Sequence, residues 1–263
     1  MAGQINGTSG YEEAAAQGLI AGINAAQKVL EKEQLILDRS ESYIGVLIND
    51  LVTRGTDEPY RMFTSRAEHR LILRQDNADE RLMKHGFRLG LVLHETFDEM
   101  TAKYLSVNKY IETVKARVIV VNKDISDALL KDHSGSETLN GKYKLEKLVK
   151  RPGVSLGSLL TLLGEDFDPE IVVLAEMAIK YEGYIKKDVD KIKKSHKMGS
   201  MRIPDTIDYQ VIAGLKNEAR EKLGKIKPER ISQAMGIPGI DPTDISILCL
   251  YLDSLKHEGL REE

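Results

Sequence analysis

Four arginines fall within fourteen residues of this 263-residue chain, Arg61, Arg66, Arg70 and Arg74, with Glu68 the one carboxylate between them. Spaced by four, the last three would share one stripe of an α-helix. Like charges at that spacing cost a helix about 0.2–0.5 kcal/mol per pair, so helix stability does not account for them, whereas an anionic partner would. A guanidinium suits phosphate because its planar fork donates two parallel hydrogen bonds. The chemistry expected here is a grip on a nucleic-acid backbone rather than bond making. The competing reading is internal neutralisation, since residues 54–81 hold six Arg and six acids.

A second constellation is the turn Gly3-Gln-Ile-Asn-Gly-Thr-Ser-Gly10. Its backbone N–H groups, with the side chains of Gln4, Asn6 and Thr8, suit a phosphate or the polar edge of a cofactor ring. Thr8 or Ser9 is expected to cap the following helix, with Ser9-x-x-Glu12 as a capping box. No strand and no G-x-G-x-x-G precede the turn, so it reads as the edge of an α/β domain whose sheet lies elsewhere. A helix over residues 10–30 presents Ala15, Leu19, Gly22, Ile23, Ala26 and Leu30 on one face. Ala14, Ala16, Gly18, Ala21 and Ala25 keep it thin enough to lie against a sheet, and without that sheet the face should be exposed.

The elements positioning these residues are expected to be helical. Charged residues make up 30% of the chain and aromatics 5%, with no Trp and seven Pro, a composition of helices joined by short turns. A net charge of −3 excludes wholesale coating of nucleic acid and leaves local segregation of charge as the route to phosphate. The single cysteine, Cys249, sits in an apolar run and reads as a small buried residue; no intrachain disulfide can form. Six scattered histidines lack ligand spacing, so no metal site is expected. His69 is expected to make surface hydrogen bonds. No apolar run reaches the roughly 18 residues of a membrane span, and a cytoplasmic protein is expected.

Along the chain, Ser65-x-x-Glu68 and Asn77-x-x-Glu80 predict helices starting near residues 66 and 78, the second stopping at Gly86. Residues 122–143, rich in Asn, Asp, Ser and Gly, read as a connector. From Pro169, the spacing Ile171, Leu174, Ala178, Tyr181, Ile185 and Ile192 predicts a long surface helix ending near Gly199, its lysines forming a solvated face. The tail predicts helices over 215–223 and 228–235, then a last one from Pro242. That last helix is capped by Asp241, stapled by Ile240 and Ile245 and closed by Gly259. Met235-Gly-Ile-Pro-Gly-Ile240 loosely resembles the hairpin of helix-hairpin-helix modules. The expected organisation is 1–35 as the closing segment of an α/β domain, 36–150 central and mostly helical, 151–210 the long helix, and 211–263 a three-helix subdomain.

Three ordered blocks are similar to the GidA/MnmG family of tRNA-modifying enzymes. They are Gly3 to Gly18, then Glu58-Pro-Tyr-Arg-Met-Phe-Thr-Ser-Arg-Ala-Glu-His-Arg-Leu71 with Arg74-Gln-Asp-Asn-Ala-Asp79, and finally Lys180-Tyr-Glu-Gly-Tyr184 with Ile203-Pro204. The resemblance implies the C-terminal half of an FAD-dependent enzyme, mainly α, with a remnant of the FAD-binding α/β domain at its start. With a partner GTPase, such enzymes build a carboxymethylaminomethyl or aminomethyl group on C5 of the wobble uridine, fed by NADH and methylenetetrahydrofolate. It implies flavin contact by Gln4, Ile5, Asn6, Gly7 and Thr8, tRNA contact by Arg61, Arg66, Arg70 and Arg74, a homodimer, and no catalysis by this segment alone. It assigns no catalytic residue here.

Two rivals stand beside that reading. A stand-alone helical RNA-binding or adaptor module would bury the small-residue face of residues 14–26 within the chain or between copies. A dimerising bundle would use the 171–192 stripe, though three heptads with a break at Asp188 make a weak coiled coil.

Overall fold

In the computed structural model, which describes residues 1–53, 55, 58–130 and 139–259, the chain is mainly helical, as its composition predicts. It forms two compact units, Met1–His69 with Lys187–Glu263, and Arg70–Lys186.

The first unit opens with a single 3-10 turn, Gly3–Asn6, and α1 (Tyr11–Val29). The expected Thr8 or Ser9 cap is absent: the N-cap is Gly10, with no side-chain hydrogen bond. Thr8 is instead held in a parallel bridge to Tyr60, and with Gly10 at the N-cap the Ser9-x-x-Glu12 capping box does not form. Helix α1 buries a polar line, Glu13, Gln17 and Gln27 around Ile20, and leaves Ala15, Leu19, Gly22, Ala26 and Leu30 exposed. Asn24 pins the returning chain by exchanging two hydrogen bonds with the Leu35 backbone, at 2.7 and 3.0 Å. Helix α2 (Tyr43–Thr53) follows, its first turn closed by Ser42 Oγ accepting from Gly45 N.

The second unit is built from α3 (Ala78–Arg88), α4 (His94–Ala116), β1 (Val118–Val121), α5 (Lys123–Leu130), β2 (Gly141–Lys144), α6 (Leu145–Val149), α7 (Leu156–Leu162) and the start of α8 (Pro169–Gly199). Helix α3 starts where predicted but runs past Gly86 to Arg88, because Gly86 is a packing residue there. A Cβ on it would sit 2.7 Å from Val92 Cγ2. Asn77 does not cap α3 through its side chain; its amide donates to Ile72 O and accepts from Arg81 Nε.

The predicted connector at 122–143 is corrected at both ends. Asn122 Oδ1 accepts from Ile125 N and so starts α5, and residues 141–144 pair antiparallel with β1, Val121 opposite Gly141 and Val118 opposite Lys144. His133-Ser-Gly-Ser136 lies outside the described residues.

Leu145, Leu148, Leu156, Leu159 and Leu160 form the centre of this unit's core, closed by Val172, Ala175 and Ile179 of α8. The long helix is therefore where the spacing puts it, but rotated by one residue. Apolar side chains occupy 171 and 172, 174 and 175, and 178 and 179, so the sequence offers two adjacent stripes and packing selects the second. The helix continues through Asp188 without a break.

After α8 the first unit resumes with α9 (Asn217–Ile226), α10 (Ile231–Met235) and α11 (Pro242–Gly259) around Leu223, Ile231 and Leu248. Helix α9 passes through Gly224 and ends at Lys227, whose φ is 50°. Asp241 caps α11 as expected, accepting from Thr243 N at 2.8 Å and Asp244 N at 2.9 Å, while Asp244 returns the bond to Asp241 N. Ile240 and Ile245 both pack into this core, and Cys249 is buried there with its thiol pKa pushed up by that burial.

Leu159→Ala should cost about 2–5 kcal/mol in a denaturant titration, the range for emptying a closed aliphatic site. On α8, Glu182 accepts from Lys150 and Lys115, each at 2.9 Å, and these bonds hold its pKa at about 2 against an ordinary 4.5. A depressed carboxylate pKa stabilises the fold above the unfolded value and loses that contribution as pH falls through the folded one. The melting-temperature advantage of wild type over Glu182→Gln should therefore be full above about pH 4.5 and fade toward pH 2.

Candidate functional site

The turn expected to meet a cofactor and the start of the arginine block are joined in one polar cluster of the first unit. Gln17 anchors the turn from below, its Oε1 accepting from Gly3 N at 2.7 Å and its Nε2 donating to Asn6 O at 3.0 Å. With both amide atoms used inward, the turn presents Gln4, Ile5 and Asn6 to solvent, Ile5 being 75% exposed. Gly3 and Gly7 take φ of 79° and 81°, left-handed values that L side chains rarely adopt. Gly7 O accepts from Tyr60 N at 2.7 Å, which ties the turn directly to residue 60. Thr8 is buried with its Oγ1 lacking a partner among the described residues.

Tyr60 leads to the centre of the cluster. Its phenol donates to Asp50 Oδ2 at 2.8 Å, and Asp50 Oδ1 accepts from Arg39 Nη1 at 2.5 Å. Burial and the bond to Asp50 both raise the Tyr60 pKa, so the phenol stays protonated. Burial alone would lower the Arg39 pKa, but its bonds to Glu68 at 2.7 Å and to Asp50 outweigh that. Arg66 lies over the Tyr60 ring at 4.4 Å, with Nη1 4.0 Å from Asp50. Nearby, Glu13 accepts from Met62 N at 2.9 Å and Arg61 Nη1 at 3.4 Å; the Met62 N–H is the main cause holding its pKa down. A Cβ on Gly10 would fall on this carboxylate and guanidinium, so a larger residue there would displace both side-chain ends.

The arginine stripe does not form. Thr64–Arg66 is a 3-10 turn, Ala67 is extended, and residues 68–72 are turns. Side chains pin the loop instead: Arg39 Nη2 donates to Arg66 O, Arg74 Nη1 to Leu71 O, Asn77 Nδ2 to Ile72 O and Arg81 Nη2 to Arg74 O.

The four arginines consequently differ. Arg74 is turned inward onto Asp76, with Nε–Oδ1 at 3.0 Å, and Arg66 is stacked on Tyr60. Arg61 is 54% exposed beyond Glu13. Arg70 is exposed and makes no ion pair among the described residues. His69 departs from the expected surface role: its Nδ1 is buried and unpartnered among the described residues. Among the described residues no group of three potential ligands could hold a metal.

Sequence reading missed Arg39, Asp50, Tyr60 and Glu13. The available signal was Asp50, an acid at the end of the apolar run Ile44-Gly-Val-Leu-Ile48, since a carboxylate buried on such a helix requires a cation. Asp50→Ala should cost about 1–3 kcal/mol in unfolding free energy, because the buried Tyr60 phenol loses its acceptor while Arg39 keeps Glu68.

Three family descriptions match in chain order: glucose inhibited division protein A over residues 1–33, the MnmG/GidA C-terminal helical domain over 94–188, and its C-terminal helical bundle over 191–263. The tRNA uridine 5-carboxymethylaminomethyl modification enzyme MnmG of Caldicellulosiruptor saccharolyticus is 49% identical over 257 residues, covering 97% of this chain and 41% of that protein. MnmG of Geobacillus thermodenitrificans is 46% identical over 254 residues, covering 96% and 40%. The solved form II structure of Aquifex aeolicus GidA superposes with a TM-score of 0.73 at 41% identity, over 95% of this chain and 39% of that one. The chain thus spans about two fifths of the length of the relatives it matches. Matched along nearly its whole length and in its fold, the chain belongs to the MnmG/GidA family, whose C-terminal helical domains it carries.

Proposed function

We propose that this chain serves an FAD-dependent enzyme that, with a partner GTPase, adds a carboxymethylaminomethyl or aminomethyl group to C5 of the tRNA wobble uridine. In this reading its helical units hold tRNA and the partner. The observation that carries it is the single cluster in which the outward-facing turn at Gln4–Thr8 is fixed to the arginine block through Tyr60. A cofactor edge and the Arg61 and Arg66 cations are then held together by one network of the first unit.

The residues at the turn fit a flavin: exposed Gln4 and Asn6 amides, two left-handed glycines and a buried Thr8 hydroxyl without a partner among the described residues. When bound, FAD would supply the redox chemistry. The chain's part is to offer Gln4, Ile5, Asn6, Gly7 and Thr8 to it and to keep the Arg61 and Arg66 cations close by. The exposed face of α1, Leu19 being 52% accessible, supports a flavin-domain neighbour over an adaptor that buries this face within its own chain. NADH, methylenetetrahydrofolate and a homodimer belong to the same proposal by relation to the family.

Among the four arginines, Arg70 and Arg61 have guanidinium surface left for phosphate, and Arg66 and Arg74 act as positioning residues for the loop that carries them. Each phosphate contact should contribute close to one unit of log–log salt dependence. Binding of the 263-residue chain to unmodified tRNA at two salt concentrations should weaken steeply with salt, and Arg70→Glu should weaken it further and flatten the slope. Unchanged affinity and slope in Arg70→Glu would remove Arg70 from the RNA grip.

A further inference from the structure

A second cationic surface lies in the tail of the first unit and uses none of the residues assigned above. Arg202 and Arg230 face one another in an isolated antiparallel bridge. The flanking bonds, Ile203 N to Glu229 O at 2.9 Å and Ile231 N to Met201 O at 3.0 Å, make them a non-hydrogen-bonded pair, the kind whose side chains stand closest. Ile203 and Ile231 are buried in the core on the inner face, so the alternation of an extended chain sends both arginines outward together.

Like charges directly opposite each other repel, and no described carboxylate relieves this pair. Among the described residues neither guanidinium comes within 4.0 Å of a carboxylate, although Asp205 and Glu229 border the same open hollow of about 450 Å³. Two adjacent guanidinium groups without ion-pair partners, on a rigid backbone bridge, fit one tetrahedral dianion or phosphodiester.

The pair also continues a basic run. Residues 187–202 carry six cations, Lys187, Lys191, Lys193, Lys194, Lys197 and Arg202, against Asp188 and Asp190, in a chain whose net charge is −3. All six are exposed, and only Lys191 makes an ion pair among the described residues, to Asp188 at 3.4 Å. Attraction to the helix C-terminus accounts for Lys197 in the last turn of α8 but not for the lysines one to three turns earlier. Gly199, at the end of α8, is buried against Ser232, two residues beyond Arg230.

We infer that the Arg202–Arg230 pair, extended by the lysines of α8, is a second RNA-backbone site in which the two guanidiniums clamp a phosphodiester. The inference rests on tRNA as the partner of this chain and adds a surface distinct from the Arg61–Arg74 block. The clamp would make the hold on tRNA two-point, one grip at the arginine block and one at the tail bundle.

The test is equilibrium binding of unmodified tRNA to the 263-residue chain at two salt concentrations, comparing Arg202→Gln/Arg230→Gln, Arg202→Lys/Arg230→Lys and Arg70→Glu. The Gln pair should weaken binding about tenfold and lower the salt slope by about 0.7–0.9 for each phosphate that the clamp no longer neutralises, while its melting temperature holds or rises because a repulsion is removed. The Lys pair should keep the slope and lose part of the affinity, since charge survives and the bidentate fork does not. Unchanged tRNA affinity and slope in the Gln pair, with Arg70→Glu weakened, would overturn the clamp and leave the first grip standing. The converse pattern would uphold the clamp and remove the first grip. Thermal protection of wild type by inorganic phosphate, abolished in a Gln pair whose tRNA binding is unchanged, would make the pair a free-phosphate site and overturn the RNA assignment.

Discussion

Asp50, with 2% of its side chain exposed, is the constraint on which the rest of the first unit's functional edge depends. A carboxylate taken from water costs several kcal/mol unless cations and hydrogen bonds replace the lost hydration. Arg39 and the Tyr60 phenol supply that replacement, and each brings a second attachment with it. Arg39 also holds Glu68 and the Arg66 carbonyl; Tyr60 also donates its N–H to Gly7 O and stacks under Arg66. One buried charge thereby sets the distance between a turn near the start of the chain and a loop some fifty residues later.

The loop's own bonds also decide what the arginines can do. A helix across residues 66–74 would have lined up three guanidiniums, but the chain there is a 3-10 turn followed by turns, pinned by Arg39 on Arg66 O and by Arg74 on Leu71 O. The result is a division of labour in which Arg39, Arg66 and Arg74 use their charge to build the loop, while Arg70 and much of Arg61 face solvent. The basic end of α8 and the Arg202–Arg230 pair are the opposite case, exposed cations of which only Lys191 makes an ion pair among the described residues.

Elements governed by local rules were legible in the sequence. Asp241, Pro242 and the Ile240–Ile245 staple located the last helix, Pro169 and Gly199 bounded the longest one, and the thin, exposed face of α1 followed from its alanines and glycines. What failed was decided by tertiary contact. Ser65-x-x-Glu68 reads as a capping box until Arg39, from a distant segment, claims Glu68; Thr8 and Ser9 read as caps until Tyr60 bridges Thr8. Gly86 reads as a stop signal until Val92 requires its missing Cβ, and the stripe of α8 is ambiguous by one residue because both candidate lines are apolar. The turn at Gln4–Thr8 was identified by its residues, but its attachment to Asp50 was not, because the apolar run before Asp50 signals a buried carboxylate without naming the distant Arg39 and Tyr60 that meet it.

Residue-resolved amide hydrogen exchange on Asp50→Asn tests the central coupling most directly. If Asp50 ties the turn to the arginine loop, protection at Thr8, Tyr60 and Ala67, whose N–H groups bond Gly3, Gly7 and Thr64, should fall together, while Leu223 and Leu248 of the tail core hold theirs. Loss confined to one of the two segments, or no loss in either, would contradict it.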